Sequence, residues 1–394
     1  MLNHRESWNV RGAIAILAAG LIALISQTGH AQAIEATPGA VQAAPFDAAH
    51  WVLDSDGELV SFGGRPAFRG TGFVKDVILR NGTIEADIWA AEEAGFAGLL
   101  FRLQSFDDNQ LVWFRIHKTN GLGADGVQYA PAYHGVFCWQ LNPKANAAVN
   151  LPKNQWVHLK LVVLDGTATL YVKDMTKPVM TVDHLRPGPT AGSVGVWTYR
   201  KGGTYFSNFS YQPGDDGETV EQKPIPPSDV VADWRLSPSF PISAVDAVPT
   251  AYPARQLAEV ESWIVPAVDS DGLVDISRYH GTKFHGRRTR EGGRPDWTML
   301  RTFIDAQEAK RIRMSFGYSD AVTIFLNGTP LFSGNSAFLA RNGLDSGWIG
   351  FSDAVFLNLR EGTNELVAAV AEDFGGWGFQ AKLDDVTGIR IHAK

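Results

Sequence analysis

Nine residues from Gly82 to Ala90, GTIEADIWA, put Ile84, Ala86 and Ile88 on one face and Glu85, Asp87 and Trp89 on the other. A period of two suits a strand with one face in a core, because a one-residue slip would exchange the faces. The pattern recurs. LVWFRIHK places Trp113, Arg115 and His117 together. QWVHLKLVVLDGTATLYVKD reads as a hairpin around Asp165-Gly166, and WVLDSDGELVSFGG as a hairpin turning at Ser55-Asp56-Gly57. No helical period of about ten residues or more interrupts the first half of the chain. Many short strands at regular spacing predict a sandwich or jelly roll.

A chain of 394 residues exceeds what one small sandwich holds, so two domains are expected. The break falls at 212–229, QPGDDGETVEQKPIPPSD, rich in proline and acidic groups and poor in apolar ones. The fold class is therefore all-β, two β-sandwich (jelly-roll) domains over 46–211 and 230–394 joined by a Pro/acidic linker. In the second half Asn327-Gly328 marks a hairpin between apolar runs, and 305–310 reads as a short helix or loop.

The N-terminus reads as a targeting segment. His4, Arg5 and Arg11 precede the apolar run AIAILAAGLIALI, and Ala31-Gln32-Ala33 follows. The run is short for a membrane span, which needs about 20 residues. A signal peptide over 1–33, cleaved after Ala33, a loose arm over 34–45 and a periplasmic or secreted product are expected. The single cysteine, Cys138, allows no internal disulfide and reads as a small buried hydrophobe. A net charge of −7 with no basic stripe excludes a nucleic-acid footprint. The run Arg287, Arg288, Arg290 beside Glu291 reads as a solvated loop.

The residues from Gly95 to Leu141 mix large aromatics with long polar side chains where a plain core would carry aliphatics. A pyranose needs a flat ring for its C–H face and directional donors for its hydroxyls. Arg102, Trp113, Arg115, Gln128, Tyr133, His134 and Trp139 are the candidate ligand contacts. Trp377, in the Gly-flanked GGWG loop, is a further stacking platform or else a loop plug. Glu85 and Asp87, two apart on a strand, would lie about 6–7 Å apart, which suits paired carboxylates. With His117 they form the candidate catalytic set; a salt-bridge network with Arg102 or Arg115 is the alternative. No close His spacing marks a metal site. Asp54-Ser55-Asp56-Gly57 and Asp269-Ser270-Asp271-Gly272 suggest a structural Ca²⁺ only weakly, since turns favour the same residues. No other cofactor is called for.

At GTIEADIWA, GLLFRLQS, QWVHLKLVV, ATLYVKD and GSVGVW with YFSNFSY, residues 46–211 resemble the concanavalin A-like/laminin-G superfamily. The nearest branch holds 3-keto-disaccharide hydrolases and family-16-type glycoside hydrolases. The resemblance implies a sandwich fold. The laminarinase-type strand carries Glu-x-Asp-x-x-Glu; Glu85 and Asp87 match, but Ala90 stands where the third carboxylate would be. The second domain, at VTIFLNG and LREGTNEL, resembles the galactose-binding-like jelly roll appended to many bacterial glycosidases.

The leading expectation is an exported protein that binds an oligosaccharide or polysaccharide on the concave face of the first sandwich. A glycoside hydrolase using Glu85, Asp87 and His117, and a non-enzymatic envelope interaction protein, are the alternatives.

Overall fold

Alternating apolar residues force each strand to bury one face, and two such sheets close on each other. The computed structural model describes residues 39–188, 190–199, 203–215, 225–242, 248–281, 296–341 and 346–393. The expected signal peptide and its cleavage site, residues 34–38 of the arm, the linker's middle and the Arg287–Arg290 loop lie outside the described residues; the rest of the arm is not loose, since Gln42–Ala43 pairs with Thr204–Pro213 and Ala44 is buried.

The first sandwich has two eight-stranded antiparallel sheets. The back sheet centres on Gly82–Ala90, between Trp156–Leu164 and Thr204–Pro213. The front sheet runs Val127–Tyr133, Asn109–Arg115, Phe96–Leu103, Ser193–Tyr199. Ile84, Ala86 and Ile88 of the back sheet meet Leu99, Val112, Phe114 and Val196 of the front sheet in one core.

The second sandwich pairs a seven-stranded sheet around Asp296–Ala306, Gly362–Ala371 and Ala321–Leu326 with a four-stranded one containing Lys310–Ser319 and Gly378–Leu383. Asn327 and Gly328 both have positive φ, 50° and 80°, as a two-residue hairpin turn requires. The Asn327 amide donates to Asn364 Oδ1 at 2.9 Å, so the two sequence signatures of this domain lock to each other. All-β architecture holds throughout; a short helix, Ala254–Glu259, stands apart from it.

Two local expectations are settled by the sheet topology. Trp51–Leu53 and Glu58–Phe62 are not a hairpin: the first joins the front sheet and the second the back, so Ser55-Asp56-Gly57 turns the chain between sheets. Glu58–Phe62 pairs instead with Arg65–Arg69. Residues 305–310 hold no helix; of the two alternatives the loop is present, confined to 307–309. Asp296–Ala306 and Lys310–Ser319 nearly meet there, and polar Gln307 and Glu308 sit in the short link.

The two sandwiches pack directly on each other. Gln140 of the first is fully buried in the second. Its backbone N–H donates to Gly375 O, its carbonyl accepts from Ile349 N, and its side chain reaches Ser346 O and Ser319 Oγ. Buried Arg186 of the first sandwich ion-pairs with Asp269 and, at 2.7 Å, with Asp271 of the second. Removing one partner of such a buried pair costs about 3–5 kcal/mol, because a charge is left behind without compensation.

Candidate functional site: an aromatic pocket on the front sheet

Strand register assembles the site in rows. Gln128, Trp113, Gly98 and Trp197 are cross-strand neighbours in one row, and Arg115, Phe96 and Tyr199 in the next. All lie on the face turned away from the sandwich core. Gly98 contributes no side chain to its row, so the flanking indoles of Trp113 and Trp197 close over it with centroids 5.6 Å apart. Phe96 packs edge-on to Tyr199 and tilts against Trp113. Phe137, on the short strand after the His134-Gly135 turn, packs on both Trp113 and Trp197.

The second sandwich supplies the remaining wall. The loop after Gly362–Ala371 brings Glu372, Phe374 and Gly375 to the front sheet, and Phe374 meets Trp139 edge-on at 5.9 Å. The cavity between them is about 280 Å³, lined by the aromatic rings of both sandwiches and by Glu372. Small-molecule sites run from about 300 Å³ upward, so the space suits one or two rings.

Two polar atoms in this wall have no hydrogen-bond partner: Trp113 Nε1 and Glu372 Oε2. A buried polar group without a partner costs about 1–3 kcal/mol. Glu372 is only 3% exposed. Its other oxygen accepts from Gly376 N at 3.0 Å and so shapes the loop. Burial pushes its carboxyl well above the usual range, and Asp320 and then Asp373 and Asp275 add to the effect. Asp320 is likewise raised by burial; one of its oxygens accepts the N–H groups of Asp373 and Phe374.

Arg115 lies behind the aromatic wall, 5.5 Å from the ring centroids of both Trp113 and Trp139. It donates to Gln128 Oε1 at 2.6 Å and to the Asp125 carbonyl, and its side chain is 8% exposed. Burial lowers its affinity for the proton, partly offset by Asp125. Gln128 is fully buried and donates on to the Trp139 carbonyl. Arg115 and Gln128 thus hold the two indoles in place from behind.

The expected site residues separate accordingly. Trp113 and Trp139 line the pocket; Arg115 and Gln128 support it. The strand ends at Arg115, so His117 falls on a 3-10 turn, Ile116–Lys118, exposed at the rim against Phe96. Burial and the neighbouring Lys118 and Arg115 keep its imidazole below the ordinary histidine value.

Glu85 and Asp87 do not join His117, Arg102 or Arg115, because their strand belongs to the back sheet and they point away from the core there. His158 lies between them, with Nδ1 2.8 Å from Asp87 and Nε2 2.8 Å from Glu85. Arg65 and Asn208 also donate to Asp87. Arg102 is a positive-φ residue at an irregularity in strand pairing, φ 48°, and its guanidinium donates to the carbonyls of Arg80, Gly188 and Asp165. Tyr133 packs at the junction of the sandwiches with Cys138 and Leu141. His134 has φ 51° and belongs to the tight turn. Trp377 is fully buried in the second core, a plug and not a platform. Asp269 and Asp271 face Arg186 and Arg278, and Asp54 and Asp56 cap backbone N–H groups of their turn and of Thr71, so these motifs act as turns and ion-pair partners. Among the described residues no cluster of three or more His, Cys, Asp or Glu could hold a metal ion. Cys138 is buried and burial pushes its thiol up.

Phe96, Phe137, Trp197, Tyr199, Glu372 and Phe374 complete the pocket without having been singled out in the sequence. A signal was present for Trp197 and Tyr199: VGVWTY alternates as LVWFR does. None was present for Glu372 and Phe374, whose loop is about 180 positions further on, past the linker.

No protein-family model and no curated protein sequence matches the chain. Among solved structures it is similar to a carbohydrate binding module, CBM66, from Bacillus subtilis, at 17% identity and a TM-score of 0.33 over 41% of this chain and 95% of that one. A Bacillus licheniformis beta-glucanase gives 14% identity and a TM-score of 0.33 over 45% of this chain and 100% of that one. A Caenorhabditis elegans galectin gives 10% and 0.27, over 42% and 96%. These similarities assign neither a family nor a ligand.

Proposed function

We propose that this chain is an exported carbohydrate-binding protein whose ligand enters the aromatic pocket on the front sheet. The observation that carries the reading is the cavity of about 280 Å³ lined by aromatic rings of both sandwiches, with Trp113 Nε1 and Glu372 Oε2 buried in its wall without a hydrogen-bond partner. Rings stack on the C–H face of a sugar, and the indole N–H and the carboxyl bond its hydroxyls. A purely apolar ligand would leave both polar atoms unsatisfied.

Binding is favoured over hydrolysis. Glycosidases of the usual kind need two carboxyl groups flanking the bond, about 5–10 Å apart. Glu372 is the one acid among the residues lining the cavity. The Glu85–Asp87 pair faces away on the other sheet with His158 between its carboxylates.

A glycan array followed by calorimetric titration tests the reading. Trp197→Ala and Tyr199→Ala should each weaken the best glycan about tenfold or more, the usual effect of truncating an aromatic anchor. Tyr199 is 46% exposed, so its variant separates binding from folding. An array without a bound glycan, or full affinity in both variants, would overturn the proposal.

A further inference from the structure

The outer face of the front sheet continues beyond the pocket in both strand directions, and the two directions differ. Two residues along from Gln128, Trp113 and Gly98 comes a row of Ala130, Leu111 and Leu100, all buried. Phe338, Trp348 and Phe374 of the second sandwich pack against this row. In the other direction lies the rim row of Phe96 and Tyr199, and Tyr199 is the most exposed ring of the lining. The junction behind the covered row is packed too closely to admit a sugar ring. The Gln140 N–H donates to Gly375 O at 2.9 Å and the Ile349 N–H to Gln140 O at 3.0 Å. A Cβ on Gly375 would stand 2.4 Å from Gln140 Oε1, and one on Gly376 2.8 Å from Cys138 Cα. Across the strands, Phe137 and Trp139 close a further side, Phe137 on both indoles and Trp139 on Phe374. The cavity is thus blind at its inner end and opens toward Tyr199.

Resting on the glycan reading above, we infer that the pocket recognises the end of a glycan chain. The terminal ring, or the last two, sits among Trp113, Trp197 and Phe374, and the remainder of the chain leaves past Tyr199. A chain held by its interior must run out of its site at both ends. Here the next ring inward would have to occupy the space that Phe338 and Trp348 fill over Leu100 and Leu111. The volume sets how much of the end is read: about 280 Å³ holds one or two rings, so further rings lie in solvent and add little affinity.

The test uses the full chain and four linear polymers: β-1,4-xylan, β-1,4-mannan, β-1,3-glucan and α-1,4-glucan. Each is titrated intact and after partial acid hydrolysis, at equal mass. Hydrolysis to about a tenth of the mean length should raise the binding sites per gram about tenfold, because saturation counts chain ends whatever the affinity. For the polymer that binds, its purified oligomers should reach full affinity by the dimer or trimer and change less than about threefold from there to the hexamer. Neither readout needs a variant to fold. Sites per gram that stay constant on hydrolysis, or an affinity that climbs about tenfold or more from trimer to hexamer, would overturn chain-end recognition. The glycan reading would still stand on the array and the Tyr199 variant. If none of the four polymers binds in either form, the chain-end inference falls, and the array decides the glycan reading separately.

Discussion

The two outer faces of the first sandwich come from the same alternation and end in opposite roles. On the back sheet the outward positions Glu85, Asp87 and His158 form an ion-pair ladder whose side chains are 15–37% exposed. On the front sheet the equivalent positions are Trp113, Trp197 and Phe96, and the second sandwich covers them. Carboxylates and imidazole can pair across strands and face solvent at little cost. Aromatics alone do not decide the matter, since Trp156, Trp89 and Tyr205 form a row on the back face as well and stay half-buried against Phe62. The contrast teaches that a period of two locates the outer face, while the docking of a distant domain settles which outer face becomes the wall of a pocket.

The largest effect should come from breaking the cover. Arg186→Ala leaves Asp269 buried without this partner and should cost about 3–5 kcal/mol in denaturant unfolding; a loss within about 0.5 kcal/mol would mean the junction is held by Gln140 and apolar contacts alone. Next comes the pH response of the covered side. Asp275 is pushed by burial to about 6, and Glu372 and Asp320 are raised too. A carboxyl raised in the folded state holds its proton there after the unfolded chain has released it. Stability therefore falls as pH rises from about 4 through the folded value, for Asp275 by about 3 kcal/mol once past pH 6. Glu372→Gln removes one such group, so its unfolding free energy relative to the wild type should increase with pH; a pH-independent difference would refute the assignment.

The smallest effect belongs to the open face. Burial works against a charged His158, but its hydrogen bonds to Asp87 and Glu85 outweigh this and raise its proton affinity. Its contribution is present below about pH 6.5 and is lost as pH rises through the folded value. His158→Gln should cost under about 1 kcal/mol at pH 6, nothing at pH 9, and leave glycan titrations unchanged, because an exposed pair is screened. Altered glycan affinity in this variant, or in Glu85→Gln or Asp87→Asn, would return the back sheet to consideration as a binding face.

Much of the fold was legible because alternation and turn chemistry are local. GTIEADIWA formed the strand it spelled, and Asn327-Gly328 turned where expected. Trp113 and Arg115 do share one face, and Trp139 lines the pocket with Trp113 while Arg115 supports it from behind. The grouping of Glu85 and Asp87 with His117 failed because alternation gives a residue's side of its own strand and says nothing of which sheet that strand enters. His117 strayed because the strand gives way to a turn after Arg115. Arg102 looked like a ligand contact, yet a local irregularity in strand pairing turned it toward three carbonyls. Glu372 and Phe374 were invisible for a different reason: they reach the site only through docking of the second sandwich, a contact distant in sequence and free of any motif.

That the pocket wall is shared has a consequence for mechanics. Ligand that touches both Trp197 and Glu372 binds the docked arrangement and not the separated one. By reciprocity, whatever free energy docking lends to the ligand, the ligand returns to docking. A bound glycan would therefore stiffen the joint around Gln140 and slow hydrogen exchange of the Gln140 and Ile349 amides that cross it. Tension or proteolysis that parted the two sandwiches would release the sugar in the same step.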